Sequence, residues 1–375
     1  MRYLAALSLA IRSLPHELRL GSVAVLGLTL ALWWRHETVP ELLFDQTTLN
    51  ELLHHSGGIL LFVGLLTACS LVYPWLLRQP VKLVGLRWVL FGSYLGIFYL
   101  LYSQLVTLLF GLPRSQYVAE MSLWYVALDT RLGVYDVLSA WIAFFLAEPW
   151  LGTLVSATYS YLVYIVLGGV LLVSFYSARL AREYLLAGFI SLIIAVPVWL
   201  LFPGIAPYEL AVTEAFSTLE LDATITEATD PVRSLYDQFA GTRWAKTTAG
   251  WAQYWEDETQ GLGHAISVNP SMHIIWGVLL TYYLWRATWW WGTLGLAVAL
   301  LQAIGTMLYL QHYLIDLPVG LIFGGVAIWV ARQLAKRECS SQQFREEFWF
   351  WPLLQSQQVG RWLQRRYRKW RSVDS

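Results

Sequence analysis

Two histidines and one aspartate stand beside long apolar runs. His273 closes the stretch Pro270-Ser271-Met272-His273, and His312 and Asp316 bracket His312-Tyr313-Leu314-Ile315-Asp316. Ionisable side chains are costly in apolar surroundings, so those found there point to function. His312 and Asp316 are four positions apart, and a helix starting near Tyr313 puts them on one face. A carboxylate bonded to one imidazole nitrogen fixes the tautomer and leaves the other nitrogen basic. That is an oriented nucleophile or base, and a second histidine facing it can serve as general acid. Two other readings compete: a structural His–Asp pair at a span boundary, and a Zn²⁺ site of two histidines and one aspartate. The chain has no HExxH and no cysteine set, which disfavours a metal, and two histidines delivered to one place favour catalysis.

The elements that must position these groups follow from local signals. Asn269 reads as an N-cap and Pro270 as the first helical residue, which places His273 in the first turn of a helix. A helix start offers free N–H groups and the positive end of the dipole, a ready site for phosphate. The chain then runs apolar to Arg286, returns from Trp291 and ends at Tyr309-Leu310-Gln311-His312. One crossing and one return bring both histidines to the same membrane face. Pro318 falls in the first turn of the next helix, where proline is tolerated.

The whole chain supports a membrane setting. Of 375 residues, 57% are hydrophobic and 13% charged, against about 25% charged in soluble domains. A span needs about 20 apolar residues. The pattern predicts an all-α polytopic bundle of roughly eight transmembrane helices, at about 20–35, 57–77, 88–111, 150–175, 184–203, 272–289, 291–311 and 314–334. Val134 to Ala147 is shorter, lies between Arg131 and Glu148, and reads as an interfacial helix. With the N-terminus inside, the outer segments hold only Arg35, Arg114, Arg131, Arg233, Arg243 and Lys246, and every other basic residue falls inside. This agrees with the positive-inside rule and puts both termini in the cytoplasm and the histidines on the opposite, extracytoplasmic or lumenal, side.

The outer face is acidic, with Glu37, Glu41, Asp45, Glu51, Glu120, Asp129, Asp136, Glu148 and further acids between Glu209 and Glu258. Most read as solvated loop charges. Residues 204–269 form the largest outer loop and carry Trp244, Trp251, Tyr254 and Trp255, which are interface anchors by default or parts of a lid over a lipid headgroup. Residues 1–19 read as an amphipathic surface segment, 20–335 as the membrane domain, and 336–375 as a cytoplasmic tail mixing aromatics with arginines, suited to anionic lipid. Zero net charge gives no support for a nucleic-acid partner, and Cys69 and Cys339 form no disulfide framework. His36, His54 and His55 read as solvated or interfacial by default, though they could approach the site; His264 lies shortly before it in the long loop, and His16 falls on the inner side.

At the two histidine stretches the chain resembles the type 2 phosphatidic acid phosphatase superfamily. Within it, the chain is most similar to the fungal inositol phosphorylceramide synthase branch. Pro270-Ser271-Met272-His273 is similar to that branch's Pro-Ser-Leu-His. The run Thr306-Met307-Leu308-Tyr309-Leu310-Gln311-His312-Tyr313-Leu314-Ile315-Asp316-Leu317 resembles its Thr-Met-Tyr-Leu-x-His-His-Tyr-x-x-Asp-Leu, and Phe202-Pro203-Gly204-Ile205-Ala206-Pro207-Tyr208 its Phe-Pro-x-x-Pro-Pro-Trp. The likeness covers roughly 120–335, the expected catalytic core. It implies that His312 attacks phosphorus and forms a phosphohistidine, that Asp316 orients it, and that His273 protonates the leaving group. It implies no metal or other cofactor, a phospholipid donor, and a lipid alcohol or water as acceptor. The wider superfamily's KxxxxxxRP motif is missing, and its arginine six residues before the second histidine is Thr306 here. Lys82 and Arg87, the nearest basic pair, sit on the wrong face. Phosphate would then be held by the helix start, with Ser271, or by outer cations among Arg114, Arg131, Arg243 and Lys246, with Thr306 and Tyr309 as further candidate contacts. These departures favour headgroup transfer to a lipid alcohol over hydrolysis by a lipid phosphate or polyprenyl pyrophosphate phosphatase. A transporter or scaffold retaining the fold is the non-enzymatic alternative.

Overall fold

A computed structural model describes residues 116–212, 223–258, 269–337 and 351–371. The described chain is all-helical, as the apolar runs predict. Its helices are α1 (Gln116–Arg131), α2 (Val134–Ala147), α3 (Pro149–Ser160), α4 (Leu162–Tyr176), α5 (Ala178–Leu201) and α6 (Pro207–Val212). There follow α7 (Ala223–Gln238), α8 (Arg243–Glu258), α9 (Met272–Ala287), α10 (Trp289–Leu308), α11 (Asp316–Arg337) and α12 (Trp351–Arg371).

Three described helices are long and apolar enough to cross a membrane: Ala178–Trp199, Trp289–Leu308 and Asp316–Lys336. They correspond to the expected spans at 184–203, 291–311 and 314–334. The first starts earlier than the hydropathy implies, because Ser177 caps it by accepting the Leu180 N–H at 3.2 Å. The expected single span at 150–175 is instead two helices, α3 and α4, bent by 74° at Tyr161. The expected interfacial helix at 134–147 is α2, which joins α1 at a 75° bend. Gly133 makes that bend, with φ +68°, a conformation that costs a side-chain-bearing residue but not glycine. Counting each bent pair as one span gives five. The expected span at 272–289 is the 16-residue α9, short of the usual crossing length. The expected spans at 20–35, 57–77 and 88–111 lie outside the described residues, as do residues 1–19.

Large apolar side chains point outward from these helices. Leu294 and Leu300 on α10, and Leu321, Ile322 and Trp329 on α11, are all at least half exposed. Such outward apolar rows suit hydrocarbon rather than water. Inside, two apolar clusters divide the work. The first joins α4, α5, α9 and α11 and includes Leu353 of α12. The second joins α1, α2, the segment around Ile205 to Leu210, α7, α8 and the end of α10. It underlies the histidine loop.

Helices α9 and α11 meet through glycines. A Cβ added to Gly320 would fall 2.8 Å from the Ile274 Cβ, and one at Gly324 would fall 2.9 Å from the Val278 Cβ. Gly320 and Gly324 form a small-xxx-small stripe that lets two backbones approach closely in an apolar medium. This contact fixes the start of α11, which carries Asp316, against the start of α9, which carries His273.

One expectation about a surface residue is corrected. Asp129 is not in a solvated loop: it is 1% exposed inside α1. Tail helix α12 packs on α4 and α5. The Ser174 and Ser356 hydroxyls are hydrogen-bonded across that contact, and Gln357 Nε2 donates to the Tyr176 carbonyl at 3.2 Å.

Candidate active site

Helix α10 ends in a particular way. Leu310 adopts the left-handed conformation (φ +54°), its N–H donates to Met307 O, and the Gln311 N–H donates to Thr306 O. These two bonds form a Schellman termination, with leucine where glycine is usual, at a strain cost of about 1–2 kcal/mol. The reversal turns the chain back over the helix end and leaves His312 on a short loop, 8% exposed, ahead of α11. The His312 N–H also points at Thr306 O, 3.3 Å away.

The surroundings hold this loop from several sides. Leu310 O accepts from the Tyr208 N–H at 2.8 Å. The Tyr313 hydroxyl donates to Ile205 O at 2.7 Å. The Phe202 to Tyr208 segment therefore acts through its backbone, as a cradle for the loop. Burial pushes both the Tyr208 and Tyr313 phenols well above the usual range, and Tyr208 also donates to buried Glu209. Both stay protonated as donors. Tyr313 stacks on Tyr125 with ring centroids 4.9 Å apart. Trp244 Nε1 donates to Leu308 O at 2.7 Å, so α8 is anchored directly to the end of α10. Both oxygens of Asp129 accept from the Leu314 N–H at 3.2 Å.

Asp316 is fully buried at the first position of α11. Its Oδ2 lies 3.2 Å from His312 Nδ1 and accepts the Tyr313 N–H at 3.0 Å. The expected His–Asp contact is thus made, but by a different route: α11 starts at Asp316 rather than near Tyr313, so His312 reaches the carboxylate from the loop and not from a shared helix face. Pro318 stays within the first turn.

His273 lies in the first turn of α9, yet Asn269 does not cap that helix. The capping position is Ser271, without a side-chain cap bond, and Asn269-Pro270 is a cis peptide outside the helix. Trp199 Nε1 donates to Pro270 O at 3.0 Å and pins this entry. The His273 ring stacks on Tyr159 with centroids 4.0 Å apart and planes 9° apart. It faces His312 edge-on at 6.0 Å between ring centroids. Two imidazoles at this separation leave room for a phosphoryl centre within reach of both.

Close to the two histidines in the chain, several buried polar groups lack partners among the described residues: Ser271 Oγ, Asn269 Oδ1, Gln311 Nε2 and Asp316 Oδ1. Buried polar atoms are almost always paired, so the unpaired Ser271 and Gln311 donors, each within two residues of a histidine, are candidate contacts for a polar ligand. Gln311 and Asp129 were not among the residues expected from sequence, since an amide and a lone carboxylate carry no distinctive spacing. Among the described residues, no cluster of three or more His, Cys, Asp and Glu side chains is arranged to hold a metal ion.

The remaining expected contacts divide. Thr306 is fully buried and its hydroxyl donates to Ala303 O at 2.7 Å, so it serves the loop through its carbonyl. Tyr309 lies by the site, 6.2 Å from Tyr159 between centroids, with Ser156 and Arg243 as polar neighbours of its hydroxyl. Arg243 donates to Pro149 O at 3.2 Å and is the one described outer cation brought to this edge. Arg131 and Lys246 are exposed and make no side-chain bond to the histidines or Asp316. Arg114 and His264 lie outside the described residues, and nothing is described of the Trp251, Tyr254 and Trp255 side chains.

No curated protein and no solved structure matches the chain significantly. A family profile does match it over residues 123–330, more than half its length and spanning His273, His312 and Asp316. The chain belongs to the PAP2 superfamily.

Proposed function

We propose that this protein is a membrane lipid phosphotransferase working through a phosphohistidine, moving a phosphorylated headgroup such as inositol phosphate from a phospholipid donor to a lipid alcohol. Superfamily membership suggests lipid phosphatase or phosphotransferase chemistry. The observation that carries the reading is His312 Nδ1 at 3.2 Å from buried Asp316, with the His273 ring 6.0 Å away.

The steps follow from that geometry. Nδ1–H donates to Asp316, which leaves the Nε2 lone pair free to attack phosphorus. The P–O bond to the leaving alcohol breaks as the N–P bond forms, and His273 supplies the proton that the leaving oxygen takes up. In the second half the acceptor hydroxyl attacks the phosphohistidine, His273 takes its proton, and the N–P bond breaks. The Ser271 and Gln311 donors and the start of α9 would hold the non-bridging oxygens, with Arg243 at the rim. Catalytic core 120–335, outer loop 204–269, and a site facing the exterior or lumen complete the proposal. Water as acceptor makes the same site a lipid phosphate or polyprenyl pyrophosphate phosphatase. A transporter or scaffold would need none of this pairing.

The test uses purified protein in mixed vesicles, offered phosphatidylinositol with a ceramide or diacylglycerol acceptor, with products read by mass spectrometry and His312→Ala as control. A phosphoinositol lipid made only by the parent protein supports transfer. Phosphate release from phosphatidic acid or a polyprenyl pyrophosphate, without transfer, moves the protein to the phosphatase reading. Neither product from folded protein overturns the enzyme assignment for these donors.

A further inference from the structure

At the other end of the bundle, Arg286 closes α9 and Arg332 and Lys336 sit in the last turns of α11. Arg179 sits in the first turn of α5. These four cations, with Ser177 and Glu183, line a cavity of about 440 Å³. His273 and Arg286 are thirteen helical positions apart, about 20 Å. The cavity is therefore distinct from the histidine site.

Its lining is ordered for an anion. Arg286 Nη1 donates to the Tyr282 hydroxyl at 3.0 Å, which fixes the guanidinium. The Tyr283 hydroxyl of α9 donates to Glu183 Oε1 of α5 at 3.4 Å and holds the single carboxylate toward α9. Arg286, Arg332 and Arg179 all bear on Glu183 electrostatically. Among the described lining residues, Arg179, Arg286 and Arg332 converge on the single carboxylate of Glu183. Arg179 and Arg332 make no side-chain hydrogen bond or ion pair with another described residue. Converging cations repel unless an anion joins them, and guanidinium groups pair with phosphate in a bidentate, charge-assisted way.

We infer that this cavity is a second anion site that takes a phosphate group, carried by a lipid headgroup in the leaflet away from the histidines or free in solution. The inference stands apart from the histidine chemistry.

The test is calorimetric titration of purified His312→Ala protein, which prevents turnover, with short-chain phosphatidic acid and separately with inorganic phosphate. The expected result is a saturable event weakened about tenfold or more, equivalent to about 1.4 kcal/mol, in the Arg179→Gln/Arg286→Gln double variant. Glu183→Gln, which removes the opposing charge, strengthens the same event severalfold. Binding by the lipid alone identifies a headgroup, whereas equal binding by inorganic phosphate identifies a free anion. Absence of any saturable event, or one indifferent to these substitutions, overturns the inference. Where the double variant does not fold, an unchanged affinity in Glu183→Gln overturns it alone.

Discussion

His312 is positioned by more groups than could be recognised as its partners beforehand. Asp316 touches its ring, and Asp129 holds the loop from α1 by accepting the Leu314 N–H with both oxygens. Removing the acceptor leaves a buried donor unsatisfied, which costs about 1–3 kcal/mol. Asp129→Ala should therefore lower kcat by about tenfold to a hundredfold while KM stays within a few-fold, and Asp129→Asn, which keeps one acceptor oxygen, should recover much of that loss. A kcat unchanged in folded Asp129→Ala would remove it as a positioning residue. His273→Ala should cost about 10²–10⁴ in rate, the usual range for a general acid, with the smaller penalty on substrates whose leaving group needs no proton. Comparing a lipid phosphoester with an activated aryl phosphate ester measures that difference.

At the scale of elements, the site depends on two helix starts being held together. Gly320 and Gly324 let α11 lie against Ile274 and Val278 of α9. A leucine at Gly320 must push the helices apart, and overpacking of this kind costs about 1–3 kcal/mol. Gly320→Leu should lower the thermal midpoint and depress turnover together, because Asp316 and His273 ride on the displaced helices. Gly325 faces open space, so Gly325→Ala should leave both unchanged within error. Helix α8 is tied to the end of α10 by the bond from Trp244 Nε1 to Leu308 O. Trp244→Phe removes that donor, at about 1 kcal/mol, and should raise the rate of amide exchange in α8 before it affects the core.

For the whole molecule, the tail behaves as part of the bundle. Leu353 is fully buried in the first core cluster, and Gly360 lies so close to the Phe175 carbonyl that a Cβ cannot be accommodated without movement. Removing residues after Lys336 should lower the thermal midpoint even though the histidines are intact. The same deletion should spare chemistry per folded molecule, which a turnover number normalised to folded protein will show. Orientation has its own measurement: a reporter fused after Arg286 should be cytoplasmic and one near Gly241 should not. The opposite outcome would sink the extracytoplasmic site.

Sequence by itself determined the all-helical class, the membrane setting and the three residues on which the proposed chemistry rests. These are carried by quantities local in the chain: apolar length, the scarcity of charge, and histidines beside a near carboxylate. Tertiary structure decided how those residues meet. The Asn269 cap and the shared His312–Asp316 helix face failed because a helix boundary depends on which backbone groups find partners elsewhere, here Trp199 for Pro270 and Thr306 for the loop. The 150–175 span breaks at Tyr161 because continuous hydropathy says nothing about bending. Asp129 looked like a loop charge because its partner, the Leu314 N–H, lies 185 residues away. The PAP2 family could be approached from the two motifs, but the unpaired Ser271 and Gln311 donors and the basic cavity at the far end exist only where separate helices converge. Burial and convergence are properties of packing, and no single stretch of the chain contains them.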